Sequence, residues 1–151
     1  NMTAVETLTL VAGQAHTLTL GASALASGVK TANATGAGVN AITVGAGFAG
    51  MYSLHKQLSE GFKAEIFEQG EDVGGTWYWN RYPGARCDIE SMDYSFSFSE
   101  ELQQEWNWKE KYGTQPELFS YAKHVCEKFN LRKNINFNTK ITKAKFIKDN
   151  Q

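Results

Sequence analysis

"AITVGAGFAG", residues 41–50, decides the fold. An apolar run leads straight into three glycines, Gly45, Gly47 and Gly50, in the spacing GxGxxG. The stretch "MYSLHKQLSEG" that follows has helical character. Leu54 and Leu58 stand one turn apart, and Gly61 sits where a helix would stop. "KAEIF", residues 63–67, reads as a second strand that ends at Glu68. Strand, glycine turn, helix and strand form a β-α-β unit, and such units build parallel sheets.

Each glycine has a physical reason. Gly45 permits the tight turn, Gly47 lets a pyrophosphate approach the backbone, and Gly50 lets helix and strand pack closely. The helix N-terminus then offers free N–H groups and a positive dipole end to phosphates. Glu68 stands 18 residues after Gly50. A carboxylate there can accept hydrogen bonds from both hydroxyls of an adenosine ribose, and it argues against a 2′-phosphate at that place. The competing reading is a plain strand–helix turn of an α/β protein. The strand before, the helix after and the placement of Glu68 favour a dinucleotide. A second match, "GAGVNA" at 36–41, precedes the strand and is no candidate.

The loop "GGTWYWNRYPGARCD", residues 74–88, holds two Trp and two Tyr among glycines and a proline. Neither helix nor central strand favours that composition. The line GxGxxG, Leu54, Leu58, Gly61, Glu68, Gly74-Gly75 resembles the FAD-binding signature of flavoproteins with two dinucleotide domains. Gly-Gly lets the loop backbone lie beside a pyrophosphate and ribityl chain, and the aromatic residues would wall a flavin. Over "DVGGTWYWNRYPGARCDIESMDYSFSFSEELQQEWNWKEKYGTQPEL" the chain resembles the N-terminal part of Baeyer–Villiger monooxygenases, within the flavin-containing monooxygenases. "GARCDIES" is most similar to the phenylacetone and steroid monooxygenase branch.

The resemblance implies an NADPH-dependent flavin enzyme that inserts one oxygen of O2 into a ketone, giving an ester or lactone. It implies FAD contacts from Gly45, Gly47, Phe48, Gly50, Glu68, Gly75, Thr76, Trp77, Tyr78, Trp79, Asp88, Tyr94 and Ile141. Arg86, Cys87 and Asp88 would form part of the wall where NADPH docks. Asp88 would also face a catalytic arginine. No second strand–GxGxxG–helix unit occurs in these 151 residues, nor does the family fingerprint Phe-x-Gly-x-x-x-His-x-x-x-Trp, nor an arginine at the catalytic position. The chain is expected to be the first quarter to third of a protein of roughly 500 residues, and inactive by itself. Two alternatives stay open: an N- or S-oxygenating flavin monooxygenase, and a non-catalytic FAD-binding domain.

The totals fit a globular α/β protein: 42% hydrophobic and 21% charged residues, with a net charge of −1. That charge gives no general pull toward nucleic acid or membrane. Six Lys or Arg and a single acid follow Leu131, which reads as a solvated face. Two cysteines, Cys87 and Cys126, make no disulfide framework and suggest a reduced, cytoplasmic setting. No Cys or His stand at metal-ligand spacing, so no metal site is expected. No apolar run reaches ~18 residues, and the N-terminus lacks a basic leading region, so neither a membrane span nor a secretory signal is expected.

Residues 1–39 contain two charges and no Phe, Trp or Tyr, and read as a loosely attached arm. The repeated "TLTL", at 7–10 and 17–20, allows a weak hairpin. Residues 40–151 then form a partial FAD-binding domain of Rossmann type, without the NADPH domain. In its second half, Ser99 is a helix cap with Glu100 and Glu101 in the first turn. Thr114 and Glu117 have capping-box spacing around Pro116. Leu118, Tyr121, Ala122, Val125 and Phe129 make an apolar stripe. "INFNTKITKAKFI", residues 135–147, reads as a strand running into an extended segment.

Overall fold

The structure is a computed structural model that describes residues 3–5, 8–11, 17–20, 41–142 and 144–147. Strands β1 (Thr3–Val5), β2 (Leu8–Val11) and β3 (Thr17–Leu20) precede β4 (Ala41–Val44), helix α1 (Phe48–Ser59) and β5 (Ala64–Phe67). Helices α2 (Thr76–Trp79), α3 (Glu100–Glu105) and α4 (Gln115–Lys128) follow. A 3-10 turn at Arg132–Asn134 leads into β6 (Ile135–Asn136), β7 (Thr139–Ile141) and β8 (Ala144–Ile147).

The central sheet has the order β3-β4-β5-β6, with every pair parallel. All four residues of β4 are buried, as a parallel strand flanked on both sides and covered on both faces requires. Its register sets Ala41 against Ala64 and Val44 against Phe67. The C-terminal ends of β4 and β5 therefore lie side by side, and the Gly45 N–H donates to the Phe67 carbonyl at 2.9 Å. This is the parallel β-α-β unit read from residues 41–68.

Within the segment expected to be an arm, the described residues are β1, β2 and β3. They pair in parallel with β7, β8 and β4 respectively. The two TLTL stretches do not pair with each other among the described residues. The rest of 1–39 lies outside the described residues. The strand expected over 135–147 is broken. Asn138 takes a left-handed conformation (φ 54°), which ends β6 and turns the chain into β7.

One core lies between α1, the sheet and α4, and includes Met51, Leu54, Ile66, Val73, Ala122 and Leu131. The stripe of α4 is buried as its spacing predicts, apart from Phe129, which is partly exposed at the helix end. Ser99 caps α3 by accepting the Leu102 N–H at 3.2 Å. The capping box expected on α4 does not form. Thr114 is the N-cap but makes no side-chain cap bond, and the Glu117 carboxylate accepts the Lys109 N–H at 2.7 Å. The Tyr121 hydroxyl, fixed in the core, accepts the Phe96 N–H at 2.9 Å and so ties the chain before α3 to α4.

Tyr121→Phe should orphan the Phe96 amide and destabilise the fold by about 1–3 kcal/mol. Urea unfolding followed by tryptophan fluorescence checks it, and an unchanged midpoint would show that this bond does not hold the segment.

Candidate functional site

The site starts at the turn between β4 and α1. Gly45 has φ +92°, a conformation that disfavours any side chain. A Cβ at Gly50 would lie 1.9 Å from the Gly45 carbonyl oxygen, so the close approach of helix and turn excludes even alanine. Gly47 is different. Its backbone is extended (φ −77°, ψ −176°), and a Cβ there would meet only Gly75 at an ordinary 3.5 Å. The fold needs glycine at 45 and 50, but not at 47. Gly47 is the N-cap of α1, no side chain caps that helix, and its first turn carries no acid. Its leading N–H groups have no intrahelical partner.

Glu68, 3% exposed, closes the turn from the neighbouring strand end. Its Oε2 accepts the Ala46 N–H at 2.6 Å and its Oε1 accepts the Gly70 N–H at 2.7 Å. One lone pair on each oxygen remains for another donor. The Glu68 carbonyl accepts the Thr139 N–H at 2.8 Å, which brings β7, with buried Ile141, to the same edge.

The Gly74-Gly75 turn faces Gly47. Gly74 (φ 113°) donates its N–H to the Ala46 carbonyl at 2.9 Å, and Gly75 (φ 54°) is the N-cap of α2. Beyond it the aromatics separate. Trp77 is buried, while Thr76 and Trp79 are exposed. The Trp77 indole N–H donates to the Tyr94 hydroxyl at 2.8 Å, and Phe48 meets Tyr94 edge-on at 5.1 Å. Burial raises the Tyr94 phenol above its ordinary value; the Trp77 hydrogen bond opposes this, and Cys87 and Asp88 add to it. The Tyr78 ring packs over Gly70, where a Cβ would meet it at 2.7 Å.

Arg81 donates to the Tyr78 carbonyl at 2.6 Å and lies over the Tyr78 ring, and it makes no ion pair among the described residues. Arg86 pairs with Glu110 at 2.5 Å and donates to the Tyr112 carbonyl at 2.6 Å. Cys87 is buried, and Asp88 is exposed with no hydrogen-bond partner for its carboxylate among the described residues. A groove of about 400 Å³ runs along this side of the loop, between Arg81–Arg86 and Thr114–Pro116. The structure thus gathers Gly45, Gly47, Gly50, Glu68 and Gly75 at one place. It lines Phe48, Trp77 and Tyr94 behind them, and leaves Arg86 and Asp88 on the outer side. Among the described residues no cluster of His, Cys, Asp or Glu could hold a metal ion, and no helix is long and apolar enough to cross a membrane.

Gly70 and Phe119 also shape the site and were not singled out for it. Gly70 is small because of Tyr78, and a Cβ on Gly74 would touch Phe119 at 3.0 Å. Both reasons are contacts across the fold, which spacing does not reveal.

Gly50→Ala should cost about 1–3 kcal/mol by overpacking against backbone that cannot yield. Thermal unfolding of the variant checks it, and an unchanged midpoint would contradict the close approach.

Residues 43–107 match the family described as NAD(P)-binding Rossmann-like domain. The chain is 46% identical over 108 residues to a phenazine N-monooxygenase of Lysobacter antibioticus, covering 71% of this chain and 20% of that protein. It is 44% identical over 112 residues to a Baeyer–Villiger monooxygenase of Pseudooceanicola batsensis, covering 74% of this chain and 21% of that protein. The solved structure of an oxidized steroid monooxygenase bound to NADP superposes with a TM-score of 0.64 at 59% identity, covering 64% of this chain and 19% of that one. The chain thus spans about one fifth of the length of the relatives it matches. Across the stretch it shares with them, the chain has a Rossmann-like fold with a parallel sheet and is similar to the N-terminal part of Baeyer–Villiger, cyclohexanone and steroid monooxygenases.

Proposed function

We propose that the glycine turn holds the ADP half of FAD, and that the chain serves as the N-terminal FAD-binding part of an NADPH-dependent Baeyer–Villiger monooxygenase acting on ketones with O2. Gly47 carries the reading. A glycine whose backbone angles and surroundings would accept a side chain, set at an uncapped helix N-terminus, is explained by a ligand that needs the space. A pyrophosphate fits that description.

On this reading Gly45, Gly47 and Gly50 set the phosphate cradle. Glu68 offers its remaining lone pairs to ribose hydroxyls, and Ile141 meets the adenine along β7. Phe48, Gly75, Thr76, Trp77, Tyr78, Trp79 and Tyr94 form the wall along the rest of the cofactor and keep water out. When bound, FAD supplies the redox chemistry. Asp88 projects a carboxylate on the outer side of the loop, where its proposed work is to hold a catalytic arginine in place. Arg86 and Cys87 belong to the proposed NADPH wall, where Arg86 is already oriented by Glu110. A reducing, cytoplasmic setting goes with this reading. Cys87 and Cys126 are buried and unpaired, and burial pushes the Cys126 thiol up to about 11.

A second reading, N-oxygenation, is supported by the 46% identity to the phenazine N-monooxygenase. The glycine turn serves either chemistry.

In a fluorescence titration of the chain, FAD should bind more tightly than NAD or NADP. Gly47→Ala should keep the unfolding midpoint yet weaken FAD by about tenfold, ~1.4 kcal/mol. Equal FAD binding by both proteins would remove the phosphate-cradle argument.

The 151 residues alone, given FAD, NADPH and phenylacetone, should form no benzyl acetate above the free-flavin background. Residues 41–142 grafted in place of the matching segment of a steroid monooxygenase should restore ester formation. Asp88→Ala in that chimera should reduce ester formation more than it reduces FAD content. Ester formation by the unaided chain would overturn its expected inactivity, and full activity of Asp88→Ala would overturn the role given to that carboxylate. A chimera that oxidises phenazine to its N-oxide but leaves ketones untouched would favour the second reading.

A further inference from the structure

Arg132 lies 60 residues beyond Asp72 in sequence and outside the glycine motifs. Its backbone is fixed from behind. The Leu131 N–H donates to the Cys126 carbonyl at 2.9 Å, and Leu131 is buried in the same cluster as Val73. Its side chain is aimed forward. Nη2 donates to Asp72 Oδ1 at 2.6 Å, and the guanidinium lies over the Phe137 ring at 5.1 Å. The same Asp72 oxygen accepts the Val73 N–H at 2.9 Å.

Gly74 and Gly75 come next. Both have positive φ, and neither has a side chain to lock its position. Their placement against Gly47 has to come from what flanks them. On the far side the Gly74 N–H is bonded to Ala46. On the near side the Arg132–Asp72 pair is the charged tether.

We infer that Arg132 is a positioning residue for the cofactor site: through Asp72 it sets the Gly74-Gly75 turn against Gly47. The inference rests on the FAD reading above. Arg132 itself touches no part of the glycine cradle, and its charge is committed to the loop that does. The pair is partly exposed, at 41% and 24%. Such pairs add little to global stability, about 0–1 kcal/mol. A loop rich in glycine is, however, a place where small local free energies decide the population of the binding geometry.

The test uses the full chain with three variants. Arg132→Met keeps an apolar stem over Phe137 and removes the charge. Arg132→Lys keeps the charge. Asp72→Asn keeps an acceptor for Val73. Arg132→Met should raise the FAD dissociation constant about fivefold, with most of the loss recovered in Arg132→Lys. Asp72→Asn and Arg132→Met together should cost no more than either alone. Hydrogen exchange should show the Gly74 amide opening faster in Arg132→Met, with the unfolding midpoint nearly unmoved. A merely structural role would lower the midpoint and leave the affinity of the folded protein unchanged. FAD binding by Arg132→Met equal to that of the unmodified chain overturns this inference alone. Failure of the unmodified chain to take up FAD overturns the reading it rests on, and this inference with it.

Discussion

The buried Glu68 carboxylate is the contact on which the site depends. A carboxyl group removed from water needs donors, and the donors here are two backbone N–H groups, of Ala46 and Gly70. Ala46 belongs to the glycine turn, and Gly70 opens the stretch that leads to Gly74-Gly75. One side chain at the end of β5 therefore clamps both backbone walls of the cradle. The Glu68 carbonyl adds a third tie, to Thr139 on β7. Register makes this possible. Parallel pairing of β4 with β5 brings Gly45 and Glu68 to the same sheet edge, where ligands of open α/β sheets bind.

The aromatic loop is ordered from the same point outward. Gly70 is compact because the Tyr78 ring rests on it, and the Tyr78 hydroxyl accepts the Glu71 N–H at 3.1 Å. Trp77 turns inward, bonded through its indole to Tyr94, and its carbonyl accepts the Gln115 side-chain amide. Helix α4 thus holds the loop by Gln115 at its start and by Leu118 packed against Trp77 and Cys87. Of the large aromatics of this loop only Trp77 is buried, while Trp79 and Tyr82 stay exposed, so the four form no single layer.

Much of this was legible in residues 41–88, because the local chemistry there has few solutions. GxGxxG between an apolar run and a helical pattern admits one connection, and the β-α-β unit followed. Helix α3 and its Ser99 cap were legible for the same reason. The capping box at Thr114 was not: the Glu117 carboxylate accepts the Lys109 N–H, a contact that no spacing rule displays. The break in 135–147 was hidden because strand propensity outweighs Asn138 in any local reading, yet the turn there needs the left-handed residue. At the site, the motif assigns each glycine its own reason: turn, ligand approach and packing. The structure separates them: Gly45 answers to backbone angle, Gly50 to space, and Gly47 to neither.

The residues placed on the outer side of the loop follow from one further regularity. Around the antiparallel bridge between Arg86 and Thr114 the chain is extended, and an extended chain sends alternate side chains to opposite sides. Ala85 and Cys87 are therefore buried, while Arg86 and Asp88 are exposed. The buried pair fixes the phase: Cys87 donates its N–H to Gly113 and packs against Trp77 and Leu118. A slip of one residue would bury the Asp88 carboxylate among aromatic rings and expose the thiol. The packing of a small apolar side chain at 87 thus determines where the charge at 88 points, and ties the outer face of the loop to the same core that carries the glycine turn.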